Sequence, residues 1–354
     1  MKNNTNFDEC SVKRGCYNTG TPVQLIVRST SRCNFNCSFC SASQLTGELS
    51  VDDIVQRVEQ YHPVQSLIFE GGDPLCKLPQ FYRDIIEEIK HRQLNVFEYG
   101  MTTNLWDFYK RPDKWADLIN EYNIKLCTSF QYGNKRLIGK NVYTESMFVD
   151  VFNVVLQYTG QRVSFIAVID QDNRHTIAKT VELAKRLGTT CKINAAFAAG
   201  SQKQGFSYPD ILEEYKTLID KKLYRYEDNT YSLVGRYLNR DSSNNCPFMR
   251  DCGKLIRCVS PQNEVSTCSI ENSWINNKSP KNKNFERDTT IDPRGMFVDT
   301  KCLTCKYFEW CNQCRINVIQ AKQTPNYCQR MKIIIPQLEE SIQKISADYF
   351  EIIE

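Results

Sequence analysis

The chain has 354 residues, enough for one large or two modest domains with a sizeable core. Its 45 basic and 41 acidic side chains are interspersed and leave a net charge of +4, so neither nucleic acid nor an anionic membrane is expected as a partner. No apolar run approaches the roughly 18 to 20 residues that span a bilayer. The polar start, residues 1–9, lacks the apolar segment of a signal peptide. A cytoplasmic protein is expected, where the seventeen cysteines serve better as metal ligands than as disulfides.

Residues 1–22, with Cys10 and Cys16 among Asn, Thr, Lys and Gly, show no periodicity and are expected to form a loose lead-in. From residue 23 onward short apolar runs alternate with amphipathic stretches. Strands are expected at 23–28, 65–69, 95–99, 124–129, 163–169 and 190–195, and helices at 51–61, 78–92, 113–122, 145–158, 173–187 and 209–222. That rhythm predicts an α/β fold: a partial (β/α)6 TIM-like barrel over residues 23–205, its parallel strands joined by crossover helices. A polar, tyrosine-rich bridge over 206–245 leads to a small cysteine-rich domain at 246–328. Residues 329–354, with Ile333, Leu338, Ile342 and Ile345, are expected to close the chain as an amphipathic helix.

In such a sheet the chemistry belongs at the carboxyl ends of the strands. Cys33, Cys37 and Cys40 follow the first strand with the spacing CxxxCxxC. Three thiolates are one short of the set for a 4Fe-4S cluster, which leaves one iron open to a small chelating molecule. Zinc is the alternative for close-set cysteines, but zinc knuckles usually add a second CxxC or a histidine pair, and nothing of that kind follows until His62 and Cys76. After the second strand comes Glu70-Gly71-Gly72-Asp73-Pro74, whose glycines permit close approach of the backbone to a ligand. Thr102-Thr103-Asn104 follows the third strand. The fourth ends in Cys127-Thr128-Ser129-Phe130-Gln131-Tyr132-Gly133, with Arg136 on the same loop. A guanidinium there matches a carboxylate in a two-bond fork.

The cysteine spacing, with aromatic Phe39 before the last cysteine, resembles the signature of the radical S-adenosylmethionine (SAM) family. The resemblance implies that Cys33, Cys37 and Cys40 hold a cluster whose open iron chelates SAM, and that reductive cleavage of SAM yields methionine and a 5′-deoxyadenosyl radical. It also implies that the backbone of Gly71, Gly72 and Asp73 meets the SAM amino group, with Asp73 standing where the family usually has Glu. Ser129 would reach the ribose, in a segment similar to the family's Ser-Leu-Asp-Gly but with a tyrosine inserted and Gln131 in the acidic place. Arg136 is a candidate partner for the SAM carboxylate.

Nine cysteines lie between residues 246 and 328. The stretch 252–268 reads as a strand, a two-residue turn and a second strand, with Asn263 in the turn. Together with the CxxC pairs beyond it, this resembles the SPASM extension of radical SAM enzymes. The resemblance implies two auxiliary 4Fe-4S clusters, one on Cys252, Cys258, Cys268 and Cys314, the other on Cys302, Cys305, Cys311 and Cys328, hence three clusters in all. Cys311 and Cys314 are two residues apart where the family usually has three. A zinc ribbon is the alternative for these pairs, though it would use four of the cysteines rather than eight. Of the six thiols left, Cys10, Cys16, Cys127 and Cys191 read as small buried hydrophobes. Cys76 and Cys246 are candidate hydrogen-atom donors near a radical.

SPASM-containing relatives largely modify peptides and proteins, so oxidation, cross-linking, thioether formation or epimerisation of a peptide residue is expected. Dehydrogenation or epimerisation of a small molecule such as a sugar or aminocyclitol is the alternative. A non-catalytic iron-sulfur or zinc interaction protein is the third possibility. The lead-in is too short for the winged-helix leader-binding domain of many peptide-modifying relatives, so a separate recognition protein is expected. An electron donor such as flavodoxin or ferredoxin is implied. Sulfatase-maturing relatives carry an aspartate directly after the cysteine equivalent to Cys268, and Ser269 stands there instead.

Overall fold

The computed structural model describes residues 23–196, 201, 206–238, 255–266, 300–311 and 325–350. The elements, in order, are β1 (Val23–Thr30), α1 (Val51–Tyr61), β2 (Val64–Gly71), α2 (Pro79–His91), β3 (Val96–Thr102), α3 (Trp106–Lys110), α4 (Pro112–Glu121) and β4 (Lys125–Ser129). A small hairpin, β5 (Leu137–Ile138) and β6 (Asn141–Val142), precedes α5 (Glu145–Thr159), β7 (Ser164–Ile169), α6 (Ile177–Leu187) and β8 (Cys191–Ala195). Then come α7 (Tyr208–Asp220), α8 (Asp228–Tyr237), β9 (Ile256–Val259), β10 (Val265–Ser266), α9 (Thr300–Leu303), α10 (Phe308–Cys311), α11 (Tyr327–Lys344) and α12 (Ser346–Phe350).

The main sheet runs β10-β9-β1-β2-β3-β4-β7-β8. Every pairing in it is parallel except β9 with β10. Six of these strands are the expected partial barrel, each beginning within a few residues of its predicted place. Apolar alternation explains their orientation: Leu25, Val27, Leu67, Phe69, Phe165 and Ala167 are fully buried against the helices, while the intervening residues face the barrel interior. Helix starts follow local chemistry. Ser50 and Asp53 form a capping box on α1, Ser207 and Asp210 another on α7, and Thr144 caps α5.

Both ends of the barrel sheet are covered. At β8 the buried Glu227 accepts from the Ile193 amide at 2.8 Å and caps α8 through the Asn229 and Thr230 amides. Asn229 Nδ2 donates to the Ile193 carbonyl at 2.7 Å. Side chains thus take the place of a ninth strand on that edge. Desolvation pushes the Glu227 carboxyl up to about 7. At the other end β9 pairs with β1, Ile26 opposite Cys258. Residues 256–266 of the cysteine-rich segment therefore extend the barrel's own sheet.

Two expectations need correction. The β9–β10 connection is a three-residue loop rather than a two-residue turn: Asn263 N donates to the Ser260 carbonyl at 2.9 Å, Ser260 N to the Glu264 carbonyl at 2.8 Å, and Asn263 sits at φ +62°. A turn followed by one left-handed residue restores the strand twist, and Asn tolerates that conformation. Asn263 is held there by Arg57 of α1, which donates to its side-chain oxygen at 2.8 Å and its carbonyl at 2.7 Å. In α11 the apolar face is Met331, Ile334, Ile335, Leu338 and Ile342, packed on α7, whereas Ile333 is exposed. The helix begins at Tyr327, so the stripe of 3.6 period is set by Met331 and Ile335, and Ile333 falls outside it.

Candidate active site at the carboxyl ends of the strands

Beyond Thr30 the chain enters the cysteine loop, which is stitched to its neighbours by backbone hydrogen bonds. Asn36 N donates to the Leu137 carbonyl at 2.8 Å and Ser38 N to the Lys135 carbonyl at 2.9 Å, joining the loop to the segment after β4. Lys135 in turn reaches Asp170 at 2.5 Å and Asp172 at 2.6 Å, beyond the end of β7. Cys33 is exposed, and Cys37 and Cys40 are half-buried. Partial burial of its sulfur pushes the Cys33 thiol up to about 12, with Asp73, Cys37 and Cys76 adding to the effect. Cys40 is raised for the same reason, with Cys37 contributing. The three thiols therefore influence one another electrostatically. Among the described residues no three Cys, His, Asp or Glu side chains close into a cage for a single metal ion.

Gly71 and Gly72 pack directly beneath this loop. Gly72 N donates to the Thr30 carbonyl at 2.8 Å and Asp73 N to the Arg32 carbonyl at 2.7 Å. A Cβ on Gly72 would stand 2.3 Å from the Arg32 carbonyl oxygen, and one on Gly71, at φ +152°, the same distance from that of Thr30. The glycines are needed for the approach of β2 to the cysteine loop itself, a contact that sequence reasoning had assigned to a ligand.

Asp73 is 1% exposed, and its side chain is spent on internal bonds. It accepts from Leu75 N and Thr103 Oγ1, both at 2.9 Å, and from Asn104 N at 2.7 Å, which locks the loop after β2 to the loop after β3. Desolvation raises its carboxyl to about 6 despite these donors.

Arg136, on the loop after β4, is 6% exposed. Its guanidinium lies 5.3 Å from the centre of the Phe39 ring, and Nη2 donates to Gln131 Oε1 at 3.1 Å. Nε has no hydrogen-bond partner among the described residues. Burial lowers the pKa of this cation, while Cys37, Tyr143, Cys33 and Cys40 pull it back up. A buried cation is thus under the influence of all three thiols, with no carboxylate partner among the described residues. Gln131, 2% exposed, also contacts Val168 N, so the residue in the family's acidic place orients the arginine. Ser129 ends β4 half-buried, opposite Ile166 of β7, on the same rim.

Four thiols of the cysteine-rich segment influence one another electrostatically. Burial pushes the Cys311 thiol up to about 12, and Cys328, Cys305 and Cys302 all add to the shift. Cys305 N donates to the Cys302 carbonyl at 3.0 Å in a tight turn. Cys258 is fully buried on β9. Cys252, Cys268 and Cys314 lie outside the described residues, as do Cys10, Cys16 and Cys246.

Residues 27–184 match the family model described as the radical SAM superfamily. This part of the chain is a radical SAM domain. The 7-carboxy-7-deazaguanine synthase of Bacteroides thetaiotaomicron is 42% identical over 59 residues, which are 16% of this chain and 31% of that one. Among solved structures, native anSMEcpe with bound AdoMet and Cp18Cys peptide aligns with a TM-score of 0.68 at 15% identity, covering 93% of this chain and 99% of that one. Streptococcus suis SuiB bound to its precursor peptide SuiA aligns with a TM-score of 0.57 at 15% identity, covering 88% and 75%. A radical SAM domain works with SAM and a 4Fe-4S cluster, and the rim fits both: three thiols suit an iron-sulfur centre, and the unpartnered Arg136 Nε suits an anion beside it. No helix among the described residues is long and apolar enough to cross a membrane.

Proposed function

We propose that the protein is a radical SAM enzyme that modifies a residue of a peptide or protein, with Cys33, Cys37 and Cys40 as ligands of the SAM-binding cluster. When bound, cluster and SAM would supply a 5′-deoxyadenosyl radical that removes a hydrogen atom from substrate, the electron coming from a donor such as flavodoxin or ferredoxin. The observation that carries the reading is the buried Arg136 beside the three thiols, its Nε unpaired. A buried cation in this state is costly unless an anion completes it, and the SAM carboxylate has the matching fork. Phe39 covers one face of the guanidinium and Gln131 fixes its rotation, so the cation is aimed before the ligand arrives. Ser129, half-buried at the end of β4, would receive the ribose. Asp73 acts through Asn104 and Thr103, keeping two strand ends in register.

Cys302, Cys305, Cys311 and Cys328 are proposed to hold an auxiliary 4Fe-4S cluster, supported by their shared electrostatic neighbourhood. Cys252, Cys258, Cys268 and Cys314 are proposed to hold another. Such clusters suit an oxidation, because they can carry away the electron left on a substrate radical. A peptide substrate is supported by the peptide-bound states of anSMEcpe and SuiB, which share this fold. The second reading, a small-molecule substrate, is supported by the 59-residue likeness to 7-carboxy-7-deazaguanine synthase.

The test is anaerobic reconstitution with iron and sulfide, then dithionite and SAM, with 5′-deoxyadenosine read by mass spectrometry. About twelve irons per chain and a product that disappears in Cys33→Ala support the reading; Cys311→Ala should lower iron by about four while retaining SAM cleavage. Zinc in place of iron, with intact SAM, refutes it. A short peptide encoded beside the protein and altered in mass by it supports the peptide substrate; turnover of a sugar or heterocycle instead supports the second reading.

A further inference from the structure

We infer that Asn104 positions Cys33 and sets the reduction potential of the SAM-binding cluster through a side-chain amide bond to the Cys33 sulfur. This rests on the ligation proposed above. Asn104 is 6% exposed, in the turn after β3. Its Oδ1 accepts from Trp106 N at 2.9 Å. Its Nδ2 donates to Asn34 Oδ1 at 2.6 Å and to Cys33 Sγ at 3.9 Å. Both amide hydrogens and the oxygen are committed, so the amide cannot flip without breaking three contacts. The backbone is equally constrained. Asn104 N is held by Asp73 at 2.7 Å, and the next residue, Leu105, is forced to φ +59°, with its amide on Thr103 Oγ1 at 3.1 Å. A non-glycine residue in the left-handed region is strained, and such strain is retained where the surroundings over-determine it.

The chemical consequence concerns charge. Cys33 receives a second donor, Phe35 N at 3.4 Å. An N–H dipole pointing its positive end at a ligating sulfur stabilises the extra negative charge of a reduced cluster and so raises its potential. Asn104 is therefore a positioning residue, itself held by the buried Asp73.

The test compares reconstituted wild type with Asn104→Asp, which keeps the side-chain volume and an oxygen for Trp106 N but removes the donor. Dithionite supplies one electron per cluster under EPR monitoring, and the SAM-binding cluster is identified as the signal that changes on adding SAM. The midpoint is expected to move to a more negative value in Asn104→Asp and, because a carboxylate lowers it by its charge alone, also in the uncharged Asn104→Leu, whose response decides the outcome, with iron content unchanged. An unmoved or raised midpoint overturns the inference. As a second measurement on wild type, asparagine labelled with 15N at the side-chain amide should give a nitrogen hyperfine coupling to the reduced cluster. Its absence overturns the inference even if Asn104→Asp fails to assemble. A wild type without any SAM-responsive signal instead overturns the ligation reading, and this inference with it.

Discussion

Replacing Arg136 with Met separates two consequences of a buried, incompletely paired cation. In the metal-free protein burial raises the Cys33 thiol to about 12 and raises that of Cys40 as well, so neither provides a formal anion near neutral pH. The effective desolvation cost of a buried ion is several kcal/mol. Against it stand one charged hydrogen bond to Gln131, worth about 1.5 to 3 kcal/mol, and the Phe39 contact, worth about 0.5 to 2 kcal/mol. The balance leaves the cation as a net burden, and a Met of similar length should stabilise the metal-free protein by about 1 to 3 kcal/mol. The loaded protein should respond in the opposite direction. Losing a charge-assisted pairing with the SAM carboxylate costs about 1.5 to 3 kcal/mol, which is roughly a 10- to 150-fold weaker Kd. Anaerobic urea unfolding of the metal-free protein and equilibrium binding of SAM to the reconstituted one measure the two effects. An Arg136→Met protein that unfolds at lower urea and binds SAM as tightly as wild type refutes the argument.

Gly72→Ala should place a methyl against the Arg32 and Ser31 carbonyls and push β2 away from the cysteine loop; iron retained at Cys33, Cys37 and Cys40 should fall sharply, and full iron loading contradicts this. The Glu227 carboxyl, raised from 4.5 to about 7, binds its proton more tightly folded than unfolded, so its stabilisation is complete below pH 4.5 and lost as pH rises through 7. The loss is about 3 kcal/mol, and the urea midpoint of Glu227→Gln should lack that decline between pH 4.5 and 8. Asp73, raised to about 6, acts with the same sign over a lower window. Asn263→Ala should cost about 1 to 3 kcal/mol, from the left-handed backbone and the lost Arg57 bond. Asn263→Gly should recover the backbone part, and equal midpoints for the two variants would remove the left-handed strain from the account.

Much of the fold was legible in the residues because the relevant signals are local. Period-two alternation at residues 23–28 and 163–169 reports a strand that buries one face, and Ser50 with Asp53 reports a helix start whatever lies around it. The spacing of the cysteine triplet suggests an iron-sulfur centre and leaves zinc as the alternative. The glycine pair marked a close approach without saying to what, and the structure answers with the Thr30 and Arg32 carbonyls. Charged and polar side chains were the least legible. Arg136, Asp73 and Glu227 are ordinary loop residues by composition, and their burial is decided by Phe39, Thr103 and Ile193, each tens of residues away. The same holds for Asn263, which meets Arg57 only because β9 joins β1 in one sheet. Hydrophobic period and turn chemistry are set within a few residues. The desolvation of a charge depends on everything packed around it, and that is a property of the folded chain.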